Sequence, residues 1–498
     1  MLFWQLIYSA LEVMAAVFVV AIGLLALAVV IFFIIDRLQT KDAVRRNYPV
    51  LGRFRHIFSE LGEFFRQYFF AMDREEMPFN RAQRNWIERA SSGKGNTIAF
   101  GSTRNVAATG TPIFVNAPFP PLDSDYAETA RLRIGPGARQ PYDAPSFFNI
   151  SGMSFGALSR PAVKALSRGA KEACVWYNTG EGGLSDWHLE GGCDIVFQIG
   201  TAKYGVRDQD GTMSDDRLRE LAGIDQVKMF EIKLSQGAKP GKGGILPAEK
   251  VSAKIAEIRG IPEGKASISP NRHEEVGDVP SLLDMIGHIR EVTGKPVGFK
   301  TVVAGLEWLQ DLCAEIHRRG PESAPDFIAI DGGDGGTGAA PMPLMDLVGL
   351  TVREALPLVS DLLHEQGLRD RIPLIASGKL INPGDVAWAI ASGADFVTSA
   401  RGFMFSLGCI QALKCNKNTC PTGITTHDPR FQKGLVPREK YKNVAAYAKS
   451  VIKEVEMIAH SCGLSEPRQL RRHHVRIVQE NGRSVPMDQL YPRPDRAA

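Results

Sequence analysis

The sequence of 498 residues is poor in cysteine and carries little net charge. Its seven cysteines are too few to indicate a secreted disulfide scaffold in a chain of this length. A formal net charge of +4 is too small to indicate nucleic-acid binding. With 44% hydrophobic and 23% charged residues, the composition is typical of a globular protein. The length predicts one large domain with extensions.

Lysine and arginine are absent from the first 36 residues, and residues 13–35 contain no charge of either sign. As a helix this segment would be about 34 Å long, enough to cross the hydrocarbon core of a bilayer. A cleaved signal peptide is the alternative, but it would need basic residues before a shorter apolar core. Because basic residues follow the segment, we predict a single-pass anchor in the inner (cytoplasmic) membrane, with the catalytic domain in the cytoplasm.

Composition and patterning predict four segments. Residues 1–36 form the anchor, and residues 37–95 form a basic, phenylalanine-rich amphipathic linker that lies on the membrane surface or packs on the main domain. Residues 96–435 form the main domain. Residues 436–498 form a helical tail with one apolar face. A group of arginines in this tail either steers an acidic electron carrier or forms a solvated face: Arg468, Arg471, Arg472 and Arg476.

Short apolar runs alternate with helical patterns from about residue 146 onward. Eight runs are strand candidates: 146–150, 174–177, 195–199, 227–234, 296–302, 327–331, 372–376 and 396–399. Helical patterns lie between several of them, at 160–173, 306–318, 352–365 and 383–392. Eight strand–helix units predict a parallel (β/α)8 TIM barrel, with a doubly wound open sheet as the alternative. The long interval from 235 to 295 predicts an insertion.

Glycine-rich loops follow several of these strands, where barrels place their chemistry. The loops are 178–183, 236–241, 331–338, 377–378 and 401–402. Glycine lets backbone N–H groups approach an anion, and barrels commonly bind phosphate near their seventh and eighth strands. The last three loops therefore predict a phosphate site, although tight turns alone would also use glycine.

Three cysteines, Cys409, Cys415 and Cys420, lie in one short segment, separated by five and by four residues. Thiolates are the usual ligands of iron–sulfur clusters, and three of them predict a three-iron cluster or a four-iron cluster with one open iron. The alternatives are structural zinc with His427 as fourth ligand, or ordinary buried cysteines. A cluster carries one electron at a time. Together with a phosphate site it indicates FMN as the partner cofactor and an outside electron source.

The chain resembles the FMN-binding synthase domain of the glutamate synthase family. The similar runs are 151–159 (Ser-Gly-Met-Ser-Phe-Gly-Ala-Leu-Ser), 178–183 (Asn-Thr-Gly-Glu-Gly-Gly), 231–241, 334–341 and 409–429, in the order of the family. This resemblance implies a TIM barrel that binds FMN and a 3Fe-4S cluster.

The sequence also departs from that family. These residues contain no N-terminal amidotransferase domain with its cysteine nucleophile, and they leave no room for the family's C-terminal β-helical domain. Tyr177 and Leu184 flank the Asn-Thr-Gly-Glu-Gly-Gly run where the family usually has a serine and an acidic residue. We therefore expect no use of glutamine in cis.

The resemblance implies a role for each part of the site. Lys233, Gln236 and Lys239 would bind 2-oxoglutarate, since two ammonium groups and an amide suit a dicarboxylate. Lys239 and Glu181 would be catalytic, with Glu181 handling protons as ammonia adds to the keto group. FMN would be held by a larger set: Ser151, Met153, Ser154, Asn178, Lys300, Gly335, Gly336, Thr337, Gly338, Ser377, Gly378 and Arg401. The cluster ligands would be Cys409, Cys415 and Cys420.

We predict a membrane-anchored oxidoreductase that acts on CH–NH2 donors. It would aminate 2-oxoglutarate with ammonia through 2-iminoglutarate, using reduced FMN. Electrons would come through the cluster from ferredoxin or from a separate NAD(P)H-oxidising subunit, and nucleic acid is not an expected partner. Two alternatives stay open: an enzyme that uses methylamine to make an N-substituted glutamate, and a membrane electron-transfer subunit with no substrate of its own.

Overall fold

The computed structural model describes residues 2–125 and 129–494. The chain forms two compact units, one ending at Ala82 and the other beginning at Gln83. The first unit contains α1 (Leu2–Leu38), α2 (Ala43–Asn47) and α3 (Leu51–Phe65), followed by one π-helical turn. The helix α4 (Arg81–Ser91) spans the division between the units. The boundaries expected at residues 36, 95 and 435 stay predictions.

Within the described residues, α1 is the one helix long and apolar enough to cross a membrane. A network around Asp36, which is fully buried, fixes the turn that follows. The Asp36 carboxylate accepts hydrogen bonds from Arg45 at 2.6 Å, from Arg53 at 2.7 Å and from the Val50 N–H at 3.0 Å. These contacts hold Arg45, Val50 and Arg53 against the end of the apolar span.

The helix α3 carries an exposed apolar face. Leu51, Phe54, Phe58, Leu61 and Phe65 recur at spacings of three and four residues, and each is at least 41% exposed. This spacing places them along one side of the helix. The arrangement is typical of a helix that lies in a membrane interface. That residues 37–95 lie on the membrane surface stays a prediction, and α3 supplies the apolar face that it needs.

The second unit is built on a closed barrel of eight parallel strands. The strands of the chain are β1 (Pro112–Phe114), β2 (Leu132–Ile134), β3 (Tyr142–Ala144), β4 (Phe148–Ile150), β5 (Tyr177–Asn178), β6 (Ile195–Ile199), β7 (Val227–Lys233), β8 (Ile245–Leu246), β9 (Ser267–Ile268), β10 (Val297–Thr301), β11 (Ile328–Asp331), β12 (Leu374–Ser377), β13 (Phe396–Ser399), β14 (Val475–Val478) and β15 (Ser484–Pro486). The barrel consists of β4–β7 and β10–β13, and β13 pairs with β4 to close it. All eight predicted strand runs overlap a barrel strand. The TIM barrel is confirmed, and closure excludes the open sheet.

The other strands lie outside the barrel. The hairpin β2–β3 packs Ile134, Tyr142 and Ala144 against residues at the amino ends of the barrel strands, among them Trp176 and Phe396. It therefore plugs the amino end of the barrel with apolar side chains. The strands β1, β14 and β15 form a small antiparallel sheet, and β8 pairs with β9 inside the predicted insertion. The sequence patterns did not predict the plug.

Helices surround the barrel. Those of the second unit beyond α4 are α5 (Arg160–Glu172), α6 (Asp186–Leu189), α7 (Asp215–Ala222), α8 (Ala253–Arg259), α9 (Val279–Thr293), α10 (Glu307–Arg319), α11 (Met342–Leu347), α12 (Val352–Glu365), α13 (Pro383–Ala391), α14 (Arg401–Ser406), α15 (Pro429–Gln432), α16 (Pro437–Ser461) and α17 (Met487–Leu490). The four predicted helical patterns correspond to α5, α10, α12 and α13. The apolar face of the tail helix α16 is buried, and Tyr447 donates a 2.8 Å hydrogen bond to the Ile381 carbonyl.

A glycine sets the distance between α5 and α16. A Cβ atom on Gly169 would lie 2.5 Å from Val444 Cβ and 2.8 Å from the Tyr441 carbonyl oxygen. Such distances require the two helices to separate, because packed interiors do not absorb an added methyl group. The contact therefore depends on glycine at this position.

We expect Gly169→Ala to destabilise the protein, since overpacking costs about 1–3 kcal/mol and outweighs a gain in helix propensity of about 1 kcal/mol. Gly287→Ala is the matched control. Gly287 is an exposed helical glycine of α9 with nothing within 4 Å of an added Cβ, so alanine should stabilise. Thermal unfolding midpoints measure both changes. Equal midpoints in the two variants would contradict the close approach of α5 and α16.

Candidate active site

The carboxyl ends of the barrel strands open into a cavity that is partly open to solvent. Twelve of the residues predicted for the site line it: Met153, Ser154, Glu181, Lys233, Gln236, Lys239, Lys300, Gly336, Thr337, Gly338, Arg401 and Cys415. The first and the last of them, Met153 and Cys415, lie more than 250 residues apart in the chain. Parallel strands in a closed barrel end at one rim, so the loops that follow them meet there.

Seven predicted residues do not line the cavity: Ser151, Asn178, Gly335, Ser377, Gly378, Cys409 and Cys420. Asn178 lies behind the wall and positions it. Its amide donates to Glu231 Oε1 at 2.9 Å, and its Oδ1 accepts from the Gly180 N–H at 2.9 Å. Gln198 also donates to Glu231, at 2.6 Å. This network holds the short turn that carries Glu181.

The predicted substrate residues form one cluster, in which Lys233 and Lys239 are buried and Glu181 and Gln236 are partly buried. Lys233 Nζ lies 2.9 Å from Glu181 Oε1 and 2.7 Å from Gln236 Oε1. Lys239 Nζ lies 3.8 Å from the same Glu181 oxygen. The four side chains therefore share a single corner of the cavity, with a carboxylate between two ammonium groups.

Burial and charge act in opposite directions on this cluster. Burial raises the pKa of Glu181, but the ammonium groups of Lys233 and Lys239 outweigh it and lower that pKa to about 2. Burial lowers the pKa of Lys233 to about 8, against the attraction of Glu181. Glu181 is therefore an ionised carboxylate at neutral pH. Lys233 is the member of the pair that changes protonation nearest to neutrality.

The cavity has an excess of positive charge. Six cationic side chains line it, against the single carboxylate of Glu181: Lys233, Lys239, Lys250, Arg259, Lys300 and Arg401. Lys300 is buried, and its ammonium group has no ion pair or hydrogen bond within the described part of the chain. Unpaired buried cations are unfavourable unless an anion occupies the site. The cavity is therefore built for anionic ligands.

The loops after β11 and β12 meet closely enough to suit a phosphate. The Gly332 N–H donates to the Ser377 carbonyl at 2.9 Å, and Gly378 has a φ of +120°. A Cβ atom on Gly378 would lie 2.9 Å from Gly332 N, so this approach requires glycine. Arg401 donates to the Thr337 carbonyl on the neighbouring loop. The cation excess and the glycine loops fit FMN with its anionic phosphate.

The cysteine loop does not hold a preformed site for a single ion. Where the structure describes the chain, no group of three or more His, Cys, Asp and Glu side chains is arranged to hold a metal ion. His427, the fourth ligand of the zinc alternative, contacts the Gly156 carbonyl at 2.9 Å. A zinc site needs ligand atoms within roughly 4 Å of one another, whereas a cluster spreads its thiolates over several irons. His427 is engaged with a backbone carbonyl, and the zinc alternative stays untested.

The three thiols still influence one another. Burial raises the pKa of the Cys409 thiol to about 11, and the charges of Cys415 and Cys420 act in the same direction. Arg401 Nη1 lies 3.9 Å from Cys415 Sγ. Three soft donors near a guanidinium group fit an anionic iron–sulfur cluster, in which added cations would offset the thiolate charge.

Two cations of the cavity wall were missed by the sequence analysis. Lys250 and Arg259 both belong to the insertion between β7 and β10, and they are 3% and 6% exposed. The length of the interval between β7 and β10 indicated an insertion, but no sequence pattern in the insertion shows which of its residues face the cavity.

The tail arginines do not form a free patch. Arg468 donates to the Asp395 and Ala130 carbonyls, and Arg472 pairs with Asp361 at 2.6 Å. Arg476 donates to Ser484. These contacts tie the tail to itself and to the barrel unit. Arg468, Arg472 and Arg476 therefore make structural contacts, whereas Arg471 is exposed and its predicted role stays a prediction.

Comparison with known proteins fits the site. Residues 121–465 match the conserved region in glutamate synthase. The chain belongs to the glutamate synthase family. It is 39% identical over 511 residues to the glutamate synthase large subunit-like protein YerD of Bacillus subtilis, covering 94% of this chain and 97% of that protein. It is 34% identical over 358 residues to the archaeal glutamate synthase [NADPH] of Methanocaldococcus jannaschii, covering 72% and 66%.

Membership of the glutamate synthase family makes this chain a glutamate synthase-like oxidoreductase of the class that acts on CH–NH2 donors. The match spans 66% of the length of the archaeal relative, so that protein's activity as a whole does not carry over directly. Among solved structures, a mutant of mandelate oxidase with the monooxide FMN adduct aligns with a TM-score of 0.45 and 17% identity over 85% of this chain and 99% of that one. We draw nothing about the site from a likeness at that level.

We expect Gly378→Ala to lower FMN affinity at least tenfold, because its methyl group separates the loops after β11 and β12. Gly211→Ala is the matched control, since Gly211 has a φ of +90° in an open turn with nothing within 4 Å of a Cβ. Both variants carry a backbone strain of about 1–2 kcal/mol. FMN titration of apoprotein by flavin fluorescence separates them. Wild-type affinity in Gly378→Ala would contradict a phosphate site at these loops.

Proposed function

We propose that this glutamate synthase-like protein is a membrane-anchored, ammonia-dependent enzyme that reductively aminates 2-oxoglutarate through 2-iminoglutarate. The observation that supports this most is the cluster of Glu181 with the buried Lys233 and Lys239. Two ammonium groups beside an amide match the two carboxylates and the keto oxygen of 2-oxoglutarate. A membrane electron-transfer subunit with no substrate would have no use for such a cluster.

Each residue of the cluster has a proposed role. Lys239 and Gln236 bind substrate carboxylate and keto oxygens, and Lys233 binds and polarises the keto group. The ionised Glu181 stabilises the cationic iminium and orients Lys233. Because the pKa of Lys233 is lowered to about 8 and that of Glu181 to about 2, we propose that Lys233 supplies the proton when water leaves. Glu181 then acts by its charge rather than as an acid.

The proposed cofactors are FMN and a 3Fe-4S cluster. FMN would supply hydride to C2 of the imine, and the cluster would supply single electrons from ferredoxin or from a separate NAD(P)H-oxidising subunit. Lys300 and Arg401 would hold FMN by charge. Cys409, Cys415 and Cys420 would ligate the cluster. The closeness of Arg401 to Cys415, 3.9 Å, supports placing the two groups beside each other.

Product identification tests the function. Purified full-length protein in detergent is supplied with 2-oxoglutarate, a chemical reductant, and either ammonia, methylamine or glutamine. Mass spectrometry with labelled nitrogen then identifies the amino acid formed. Glutamate from ammonia supports the proposal. N-methylglutamate formed in preference would replace it with the N-substituted alternative, and no product from any amine would favour the electron-transfer alternative.

We expect Lys239→Ala to weaken 2-oxoglutarate binding about 10- to 100-fold, because a hydrogen bond to a charged group contributes roughly 1.5–3 kcal/mol. FMN binding should change far less. Lys242→Ala is the matched control, since Lys242 is an exposed lysine three residues further on. The flavin absorbance shift on titration with 2-oxoglutarate measures the binding. Equal affinities in the two variants would show that Lys239 does not bind the substrate.

The membrane anchor is proposed on α1. Its apolar side chains are exposed, and basic residues follow it, so the positive-inside rule puts the barrel in the cytoplasm. The exposed apolar face of α3 would then lie in the interface of the same leaflet. The Asp36 network supports this, because it holds Arg45 and Arg53 against the end of the span.

We expect deletion of residues 2–34 to weaken membrane attachment without loss of FMN, since Asp36 and its partners stay in place and the barrel belongs to a separate unit. Membrane fractionation with a carbonate wash measures attachment, and the intact mass of the full-length protein shows whether the N-terminus is retained. A shortened mature N-terminus would identify a cleaved signal sequence. Digestion of the barrel by protease added outside intact cells would show that the barrel lies on the other side of the membrane.

A further inference from the structure

Lys250 is a buried cation at a junction of three segments. It ends the short turn Ala248–Lys250 of the insertion and is 3% exposed. Its ammonium group donates to the Ala157 carbonyl at 3.0 Å and to the Cys415 carbonyl at 3.1 Å. Asn418 strengthens the same junction by donating to the Glu249 carbonyl at 2.9 Å. Lys250 therefore joins the loop of residues 151–159 to the cysteine loop.

The charge of Lys250 has no carboxylate partner. No acidic side chain in the described part of the chain forms an ion pair with it, and the carbonyls of Ala157 and Cys415 satisfy hydrogen bonds without cancelling charge. The nearby groups that can become anionic are the thiols of Cys415 and Cys420, whose charges act on the ammonium group. A buried cation without a counter-ion is unfavourable, so its position indicates that an anion belongs beside it.

We infer that Lys250 is a redox-tuning residue, whose positive charge stabilises the reduced state of the cluster held by the cysteine loop. This rests on the cluster of the proposed function. One added electron makes a thiolate-bound cluster more negative, and nearby charge is one of the influences that set its reduction potential. Lys250 thereby favours electron transfer from the outside donor into the cluster, beside the loop that faces FMN.

Three variants test this on iron-loaded full-length protein. Lys250→Gln keeps a hydrogen-bond donor and removes the charge, and Lys250→Arg keeps the charge. Lys254→Gln is the matched control, because Lys254 is a partly exposed lysine of α8 in the same insertion. Titrations followed by electron paramagnetic resonance give the potential of the cluster, and absorbance gives the potential of FMN. Iron, sulfide and FMN contents show whether each variant is loaded.

We expect Lys250→Gln to shift the one-electron equilibrium of the cluster about tenfold toward the oxidised state, which corresponds to about 59 mV. Lys250→Arg and Lys254→Gln should stay near the wild-type value. An unchanged cluster potential in loaded Lys250→Gln would overturn the inference, as would a shift confined to FMN. Wild-type protein that binds no iron would instead refute the cluster of the proposed function.

A second measurement covers the case in which Lys250→Gln does not fold. In protein labelled with nitrogen-15 lysine, pulsed electron paramagnetic resonance of the paramagnetic cluster should detect a lysine nitrogen close to it. That coupling should be weaker in Lys250→Arg, which keeps the charge, and the coupling that remains should come from Lys414 and Lys417 beside Cys415. Its absence from the loaded wild type would contradict an ammonium group beside the cluster.

Discussion

Closure of the eight-stranded barrel is the constraint from which the site follows. Because all strands run parallel and the last pairs with the first, their carboxyl ends share one rim, while the β2–β3 hairpin fills the other end with apolar side chains. Loops that are far apart in sequence must then face one another. Glu181, Lys233, Lys300 and Arg401 meet for this reason, and each is held by the strand or turn that carries it.

The chemistry of that rim depends on an imbalance of charge. Six cations and one carboxylate in a mostly buried cavity would be unfavourable in the absence of anionic ligands. Glu181 relieves the repulsion locally by pairing with Lys233 and Lys239, but among the described residues no carboxylate pairs with Lys300 or Lys250. A phosphate-bearing flavin, a dicarboxylate and a thiolate cluster would each place negative charge where the protein provides a cation.

The insertion between β7 and β10 connects the parts of this site. Its turn Ala248–Lys250 contacts both the loop of residues 151–159 and the cysteine loop, and Arg259 of the same insertion donates to Ser267 and approaches Phe155. The insertion, which is not part of the barrel itself, thus contributes two buried cations to the wall of the cavity. In the proposed enzyme, these contacts would connect the region that binds FMN with the region that binds the cluster.

The sequence by itself determined the barrel strands, the apolar span and most of the residues on the rim, because period, charge and glycine content are local properties. Glu181, Lys233, Gln236 and Lys239 were found from their motifs, and the structure brings them into one cluster. Only the tertiary structure decided which charges pair and which do not. It placed Asn178 behind the wall, gave most of the tail arginines structural contacts, and brought Lys250 to Cys415 across 165 residues of chain. Such pairings depend on three-dimensional distance and burial, which no local pattern encodes.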